Sequence, residues 1–298
     1  MGISDRDYVR IGPRATSGLG SVRFISFNTW LIIANTVVFV LQTILPKHNV
    51  VLGSTPLGTM DALTLYGHFS TGLGFFHLEV WRFVTFQFLH SSLTHIFFNM
   101  FGLWIFGGMV ESYLGFNRYA AFYLVCGICG AICYLVLNFL GAIVGLQLPG
   151  VLVENPYTPL IGASAGVFGV IVACAFIAPN TVVQLLFPPI PLKMSWFAYG
   201  YVAVAAINLL RYGQNAGGDA AHIGGAIAGY FFVRNAHLLK DFFDVFGDSR
   251  KDTPRRRATV DPVELDRILR KIKATGLVSL NDDERRTLRR ATEQGRRA

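Results

Sequence analysis

Ser164 stands in Gly162-Ala163-Ser164-Ala165-Gly166 at the head of an apolar stretch, and two histidines occupy other apolar stretches. They are His95, within His90-x4-His95-x3-Asn99, and His222, within Ala221-His222-x2-Gly225-x3-Gly229. Apolar surroundings penalise polar groups that lack partners, so a hydroxyl and imidazoles on three such segments imply a chemical task. A serine hydroxyl becomes an effective nucleophile beside a base, and histidine is the usual base near neutral pH. Attack on a carbonyl then creates an oxyanion that needs fixed donors. His95 and Asn99 are four residues apart, share a helix face, and can aim an imidazole N–H and an amide N–H at one oxygen. The backbone N–H of Ser164, at a helix start, has no partner within its helix and is free to donate. Such a set suits hydrolysis of a peptide bond.

The elements that must position these groups are apolar helices. The segment after Ser164 carries Gly166 and Gly169, and the segment around His222 carries Gly224, Gly225, Ala228 and Gly229. Small residues at four-residue spacing let two membrane helices approach closely, as a serine–histidine hydrogen bond requires. Gly162-x-Ser164-x-Gly166 also fits the strand–turn–helix nucleophile elbow of soluble hydrolases. That context needs a central strand, which Pro156–Ile161 does not make.

Of 298 residues, 52% are hydrophobic and 15% charged, where a soluble domain carries about a quarter charged. Of the 26 Lys and Arg, four lie in Met1–Arg23 and 17 in Arg234–Ala298, leaving only Lys47, Arg82, Arg118, Lys193 and Arg211 between. This pattern describes an all-α polytopic membrane protein: an N-terminal segment over 1–23, a membrane domain over 24–238 and a basic tail over 239–298. Six apolar segments are expected, at Phe24–Leu45, Phe86–Val110, Tyr119–Val144, Ser164–Ala178, Ser195–Leu210 and Ala220–Leu238. With basic residues kept on the cytoplasmic side, both termini are cytoplasmic and the span number is even. His95, Asn99, Ser164 and His222 then fall at one depth toward the outer face. No cleavable leader is read at the N-terminus, and the first apolar stretch serves as a span.

The connection Pro46–Val84 holds Phe75, Phe76, Leu78, Val80, Trp81 and Phe83 and reads as a segment lying in the membrane interface, anchored by Trp81 and Arg82. Phe187-Pro188-Pro189-Ile190-Pro191 reads as a tight connection. His48, His68, His77 and His237 fall in loops or tail and carry no catalytic role. Asp219, three residues before His222, is read as a solvent-facing cap. Cys126, Cys129, Cys133 and Cys174 are packing residues, with no metal, cofactor or disulfide implied. In the tail, after Arg255-Arg256-Arg257, Leu265, Ile268, Leu269 and Ile272 share a helix face that ends at Gly276. Asn281-x2-Glu284 reads as a capping pair that opens a second helix. The tail suits anionic lipid head groups, and no nucleic-acid partner is expected.

On these motifs the chain resembles the rhomboid family of intramembrane serine proteases over roughly residues 24–238. The resemblance implies a six-helix rhomboid-like bundle with a small helical cytoplasmic appendage. It makes Ser164 and His222 the catalytic dyad, with His95, Asn99 and Ser164 as oxyanion donors. It assigns supporting places to His90, Gly162 and the Trp81-Arg82 pair. Glu111, after Gly107-Gly108, is implied to brace neighbouring segments, and Phe168 to stack on the catalytic histidine. Two departures are Ala165, where many members have glycine, and Phe168, where tyrosine is frequent. The implied activity is cleavage of transmembrane proteins in or beside their spans, by a monomer embedded in the bilayer (the inner membrane in a bacterium) with its site toward the outer face. A rhomboid-like protein that binds membrane clients without cleaving them is the alternative.

Overall fold

Ser26 opens the first helix: its hydroxyl accepts the backbone N–H of Thr29 at 3.1 Å. This satisfies one of the donors that a helix start leaves free. The computed structural model describes residues 25–52, 55–185, 189–240, 242, 262–276 and 279–295. The segment 1–23, Phe187-Pro188 and Arg255-Arg256-Arg257 lie outside the described residues. The chain divides into two units, Met1–Phe243 and Asp244–Ala298.

In the first unit, α1 (Phe27–Ile44) leads into an antiparallel hairpin of β1 (Lys47–Leu52) and β2 (Thr55–Asp61), then α2 (Ala62–Gly67). A π-helical turn at Gly72–Phe76 and α3 (Arg82–Thr85) complete this connection. Next, α4 (Leu93–Gly102) continues through a π-turn into α5 (Gly108–Leu114). The bundle is completed by α6 (Phe116–Asn138), α7 (Ser164–Ile177), α8 (Met194–Leu210) and α9 (Ala216–Arg234). A second hairpin, β3 (Val182–Gln184) with β4 (Pro191–Lys193), joins α7 to α8. Among the described residues, Phe27–Ile44, Leu93–Leu114 and Phe116–Ile143 are long and apolar enough to cross a membrane. The helices α7 and α8 are apolar but shorter, and α9 has 19 residues with Asp219 in its first turn and Arg234 in its last.

The centre of the bundle is α6, α7 and α9, around the buried Tyr123, Cys126, Ala163, Val170 and Ala228. Two glycines of α9 decide how near α7 can come. A methyl on Gly225 would collide with the carbonyl of Ala165, and one on Gly229 with the backbone of Gly169. Backbone against backbone at this range excludes any side chain at either position. Polar bonds hold α1 to the rest: Glu111 accepts the N–H groups of Phe27 and Asn28 at 2.7 and 3.0 Å. Asn28 donates to the Leu103 carbonyl at 2.8 Å and accepts from the Tyr119 hydroxyl at 2.8 Å.

Several expected boundaries move. The second apolar segment was expected from Phe86, but Phe86–Phe88 is a 3₁₀ turn and the helix proper starts at Leu93. Ser92 fixes that start by accepting the His95 N–H at 3.2 Å, a cap that an apolar count does not register. The sixth helix begins at Ala216 rather than Ala220, which puts His222 in its second turn. Both hairpins are additions to the all-α expectation, and each lies in a connection between helices of the bundle.

The second unit holds α10 (Pro262–Thr275) and α11 (Asp282–Gly295). Asn281 and Glu284 bond reciprocally: the Asn281 side chain accepts the Glu284 N–H at 2.8 Å, and the Glu284 carboxylate accepts the Asn281 N–H at 3.0 Å. Ile268 is fully buried, but Leu269 remains 47% exposed. Leu265 and Ile272, on the same face of α10, are half-buried.

Candidate active site

The chain before α7 is held by pairing with the first connection. Phe69 and Leu160 exchange backbone bonds at 3.0 and 2.7 Å, and the Gly162 N–H donates to the Phe86 carbonyl at 2.9 Å. Gly162 has φ +134°, a conformation that side chains with a Cβ rarely adopt. A Cβ there would also lie 2.8 Å from His95 Nε2. Glycine lets the backbone pass directly beside that imidazole and deliver Ser164 as the first residue of α7.

His222 approaches from α9, its Nε2 2.8 Å from Ser164 Oγ. Its ring stacks on Phe168, one turn along α7 from the serine, with centroids 4.1 Å apart and planes 8° from parallel. Tyr201 of α8 covers the other face of Phe168 at 4.3 Å. On the remaining side, the Nδ1 of His222 lies 3.2 Å from Asp219 Oδ1.

His95 and Asn99 face the same pocket, which has a volume of about 460 Å³ and is lined in part by Ser164, Phe168, Tyr201 and His222. The His95 Nδ1 accepts the Ser91 backbone N–H at 3.4 Å and meets the Ser91 hydroxyl at 3.1 Å. A neutral ring accepting at Nδ1 carries its proton on Nε2, the nitrogen beside Gly162. Asn99 is 5% exposed, and its amide nitrogen donates to the His95 carbonyl at 3.1 Å. One amide N–H is thus committed within α4, and the second is the donor that remains.

The other expected residues are arranged around this pocket rather than in it. His90, 2% exposed, sets its ring 5.0 Å from that of His95 and takes no part in the lining. Its backbone N–H bonds Gln42 of α1 at 3.1 Å. Glu111 bonds the start of α1, as described above. Trp81 is half exposed, with its indole N–H on the Tyr66 carbonyl at 3.2 Å.

Two expectations need correction. Arg82 is not an interface anchor: it is 3% exposed, paired with Glu79 at 2.6 Å, and bonded to the Leu65 and His68 carbonyls at 3.0 and 2.7 Å. A guanidinium supplies several donors in a fixed fork, and the folded connection uses them internally. Asp219 is not a solvent-facing cap: it is 4% exposed, because the helix starts a full turn earlier than the apolar residues indicate.

Two contributors escaped the sequence reading. Tyr201 has no spacing relationship to Phe168, so nothing local announces their stack. Ser91, four residues before His95, sits outside the helix, where four-residue spacing carries no meaning.

The fold and the pocket define a helical membrane bundle with a hydrogen-bonded serine–histidine pair. Its sequence matches the rhomboid domain family model over residues 77–237, and the chain belongs to the rhomboid family. Among similar proteins is the mitochondrial presenilin-associated rhomboid-like protein of Homo sapiens, 30% identical over 156 residues, 51% of this chain and 37% of that protein. Rhomboid protease GluP of Bacillus subtilis (strain 168) is 29% identical over 163 residues, 54% of this chain and 27% of GluP. Rhomboid protease GlpG of Yersinia pestis (strain Pestoides F) is 25% identical over 174 residues, 58% of this chain and 51% of GlpG. The matched region spans about half or less of each of these relatives.

Proposed function

We propose that the chain is an intramembrane serine endopeptidase that cleaves peptide bonds in or next to transmembrane segments of other membrane proteins. The observation that carries this reading is the 2.8 Å contact between Ser164 Oγ and His222 Nε2 inside a polar pocket of an apolar bundle. Ser164 Oγ attacks the scissile carbonyl carbon while its proton passes to His222 Nε2. The oxyanion is met by the Nε2–H of His95, the free amide N–H of Asn99 and the backbone N–H of Ser164. His222 then gives its proton to the leaving amine, and water, activated by the same imidazole, releases the acyl group from Ser164. A substrate helix must open locally first, since its backbone groups are otherwise bonded to one another. Small or helix-breaking residues near the scissile bond favour that opening.

The same reading places the bundle as a monomer in the bilayer, with both basic ends cytoplasmic and the pocket toward the outer face. It assigns residues 1–23 to a cytoplasmic segment, 24–238 to the protease domain and 239–298 to a tail at the lipid surface. The test is labelling by a serine-directed fluorophosphonate in liposomes. Labelling of the parent that is abolished in Ser164→Ala and in His222→Ala is expected. A parent that does not react overturns the hydrolase and leaves the client-binding alternative, for which retention of both Ser164 and His222 has no use.

A further inference from the structure

The stack between His222 and Phe168 leaves two freedoms open. Planes 8° apart with centroids at 4.1 Å fix the tilt of the imidazole. They do not distinguish the ring from the same ring flipped about χ2, which stacks equally well with carbon in place of nitrogen. Nor do they choose between the two neutral tautomers. Only one combination leaves Nε2 unprotonated and facing Ser164 Oγ.

Asp219 removes both ambiguities. It lies three residues before His222, on the same face of α9, with Oδ1 3.2 Å from Nδ1. A carboxylate accepts and does not donate, so Nδ1 must carry the proton and Nε2 must be the base. Asp219 is 4% exposed, and its Oδ2 has no hydrogen-bond partner among the described residues. A carboxylate withdrawn from solvent at that cost is not an ordinary helix cap.

Resting on the protease reading above, we infer that Asp219 is a positioning residue that orients the histidine of the Ser164–His222 dyad and stabilises its protonated form. During attack, the Ser164 proton moves to Nε2 as the Oγ–C bond forms. The imidazolium then donates from Nδ1 to Asp219, which takes no proton, and Nε2 passes its proton to the leaving amine.

The test uses the full chain in detergent, with three readouts. Ring ¹⁵N shifts of labelled histidine, assigned by difference with His222→Ala, report which nitrogen of His222 is protonated. We expect the Nδ1–H form in the parent and a mixture of tautomers in Asp219→Leu. Turnover of a transmembrane substrate should lose on the order of 10²-fold or more in kcat in Asp219→Leu, with KM unchanged. Asp219→Asn, whose amide oxygen can still accept from Nδ1, should recover part of that loss. Thermal unfolding identifies a Leu variant that fails to fold, in which case Asp219→Asn alone decides: a fall in kcat supports the assignment and an unchanged kcat overturns it. Unchanged kcat or an unchanged tautomer in a folded Leu variant also overturns it. Fluorophosphonate labelling of the parent separates the two readings. An unlabelled parent sinks the hydrolase, whereas a labelled parent with an indifferent Asp219 sinks only the positioning role of Asp219.

Discussion

Gly225 of α9 presses its backbone against the carbonyl of Ala165, the residue directly after Ser164. The distance between Ser164 and His222 is therefore set by two backbones in contact, not by the flexible side chains alone. Replacing Gly225 with valine must push α9 away from α7. Overpacking of this kind costs about 1–3 kcal/mol, and a displacement of about 1 Å at a reacting pair can cost on the order of 10²-fold in rate. Fluorophosphonate labelling should collapse in Gly225→Val, while Gly200→Ala, at a site with open space, should label as the parent does. Equal labelling of both variants would separate the site from the α7–α9 contact.

Asn99 has one amide N–H bonded to the His95 carbonyl and one free. Its removal should act on the oxyanion more than on binding. In Asn99→Ala, kcat should fall on the order of 10²-fold with KM little changed. A rise in KM at constant kcat, measured on a transmembrane substrate, would assign Asn99 to substrate binding instead.

Glu111 caps α1 from another helix, accepting from Phe27 and Asn28. A glutamine presents one acceptor oxygen and no charge to the positive end of the helix. Glu111→Gln should destabilise the bundle by about 1 kcal/mol, and Glu111→Ala by about 2 kcal/mol. Thermal unfolding in detergent measures both. Activity at low temperature should survive in each, since Glu111 lies outside the lining of the pocket.

In the tail unit, the Lys271 ammonium and then the Asn281 N–H hold the carboxyl of Glu284 below the usual carboxylate range. The folded state thus releases this proton more readily than the unfolded state. Its stabilising contribution is complete above the unfolded value, near 4.5, and is lost as pH falls through the lower folded value. Hydrogen–deuterium exchange of 264–293 in the full chain should show protection falling below about pH 4.5. Glu284→Gln should flatten that dependence, and an identical pH response in the variant would remove Glu284 as its source.

Local patterns in the chain already carried much of this. Charge crowded at both ends marked the apolar middle, and runs such as Phe24–Leu45 showed helices of spanning length. Ser164, His95, Asn99 and His222 stood out because polar groups are conspicuous in such runs. Asn281 and Glu284 were legible as a cap because their bonds close over three residues. Short-range geometry of this kind depends only on helix period and neighbour identity.

Tertiary structure alone decided where α9 starts, and with it whether Asp219 meets water or His222. It decided that Arg82 folds inward to Leu65 and His68, and that Tyr201 backs Phe168. It also placed Gly162 against His95. Each of these depends on packing between segments far apart in sequence, where spacing along the chain carries no information about distance. The apolar count missed the α9 start because Ala216-Gly217-Gly218-Asp219 is weakly hydrophobic, yet close packing against neighbouring segments buries Ala216, Gly217 and Asp219.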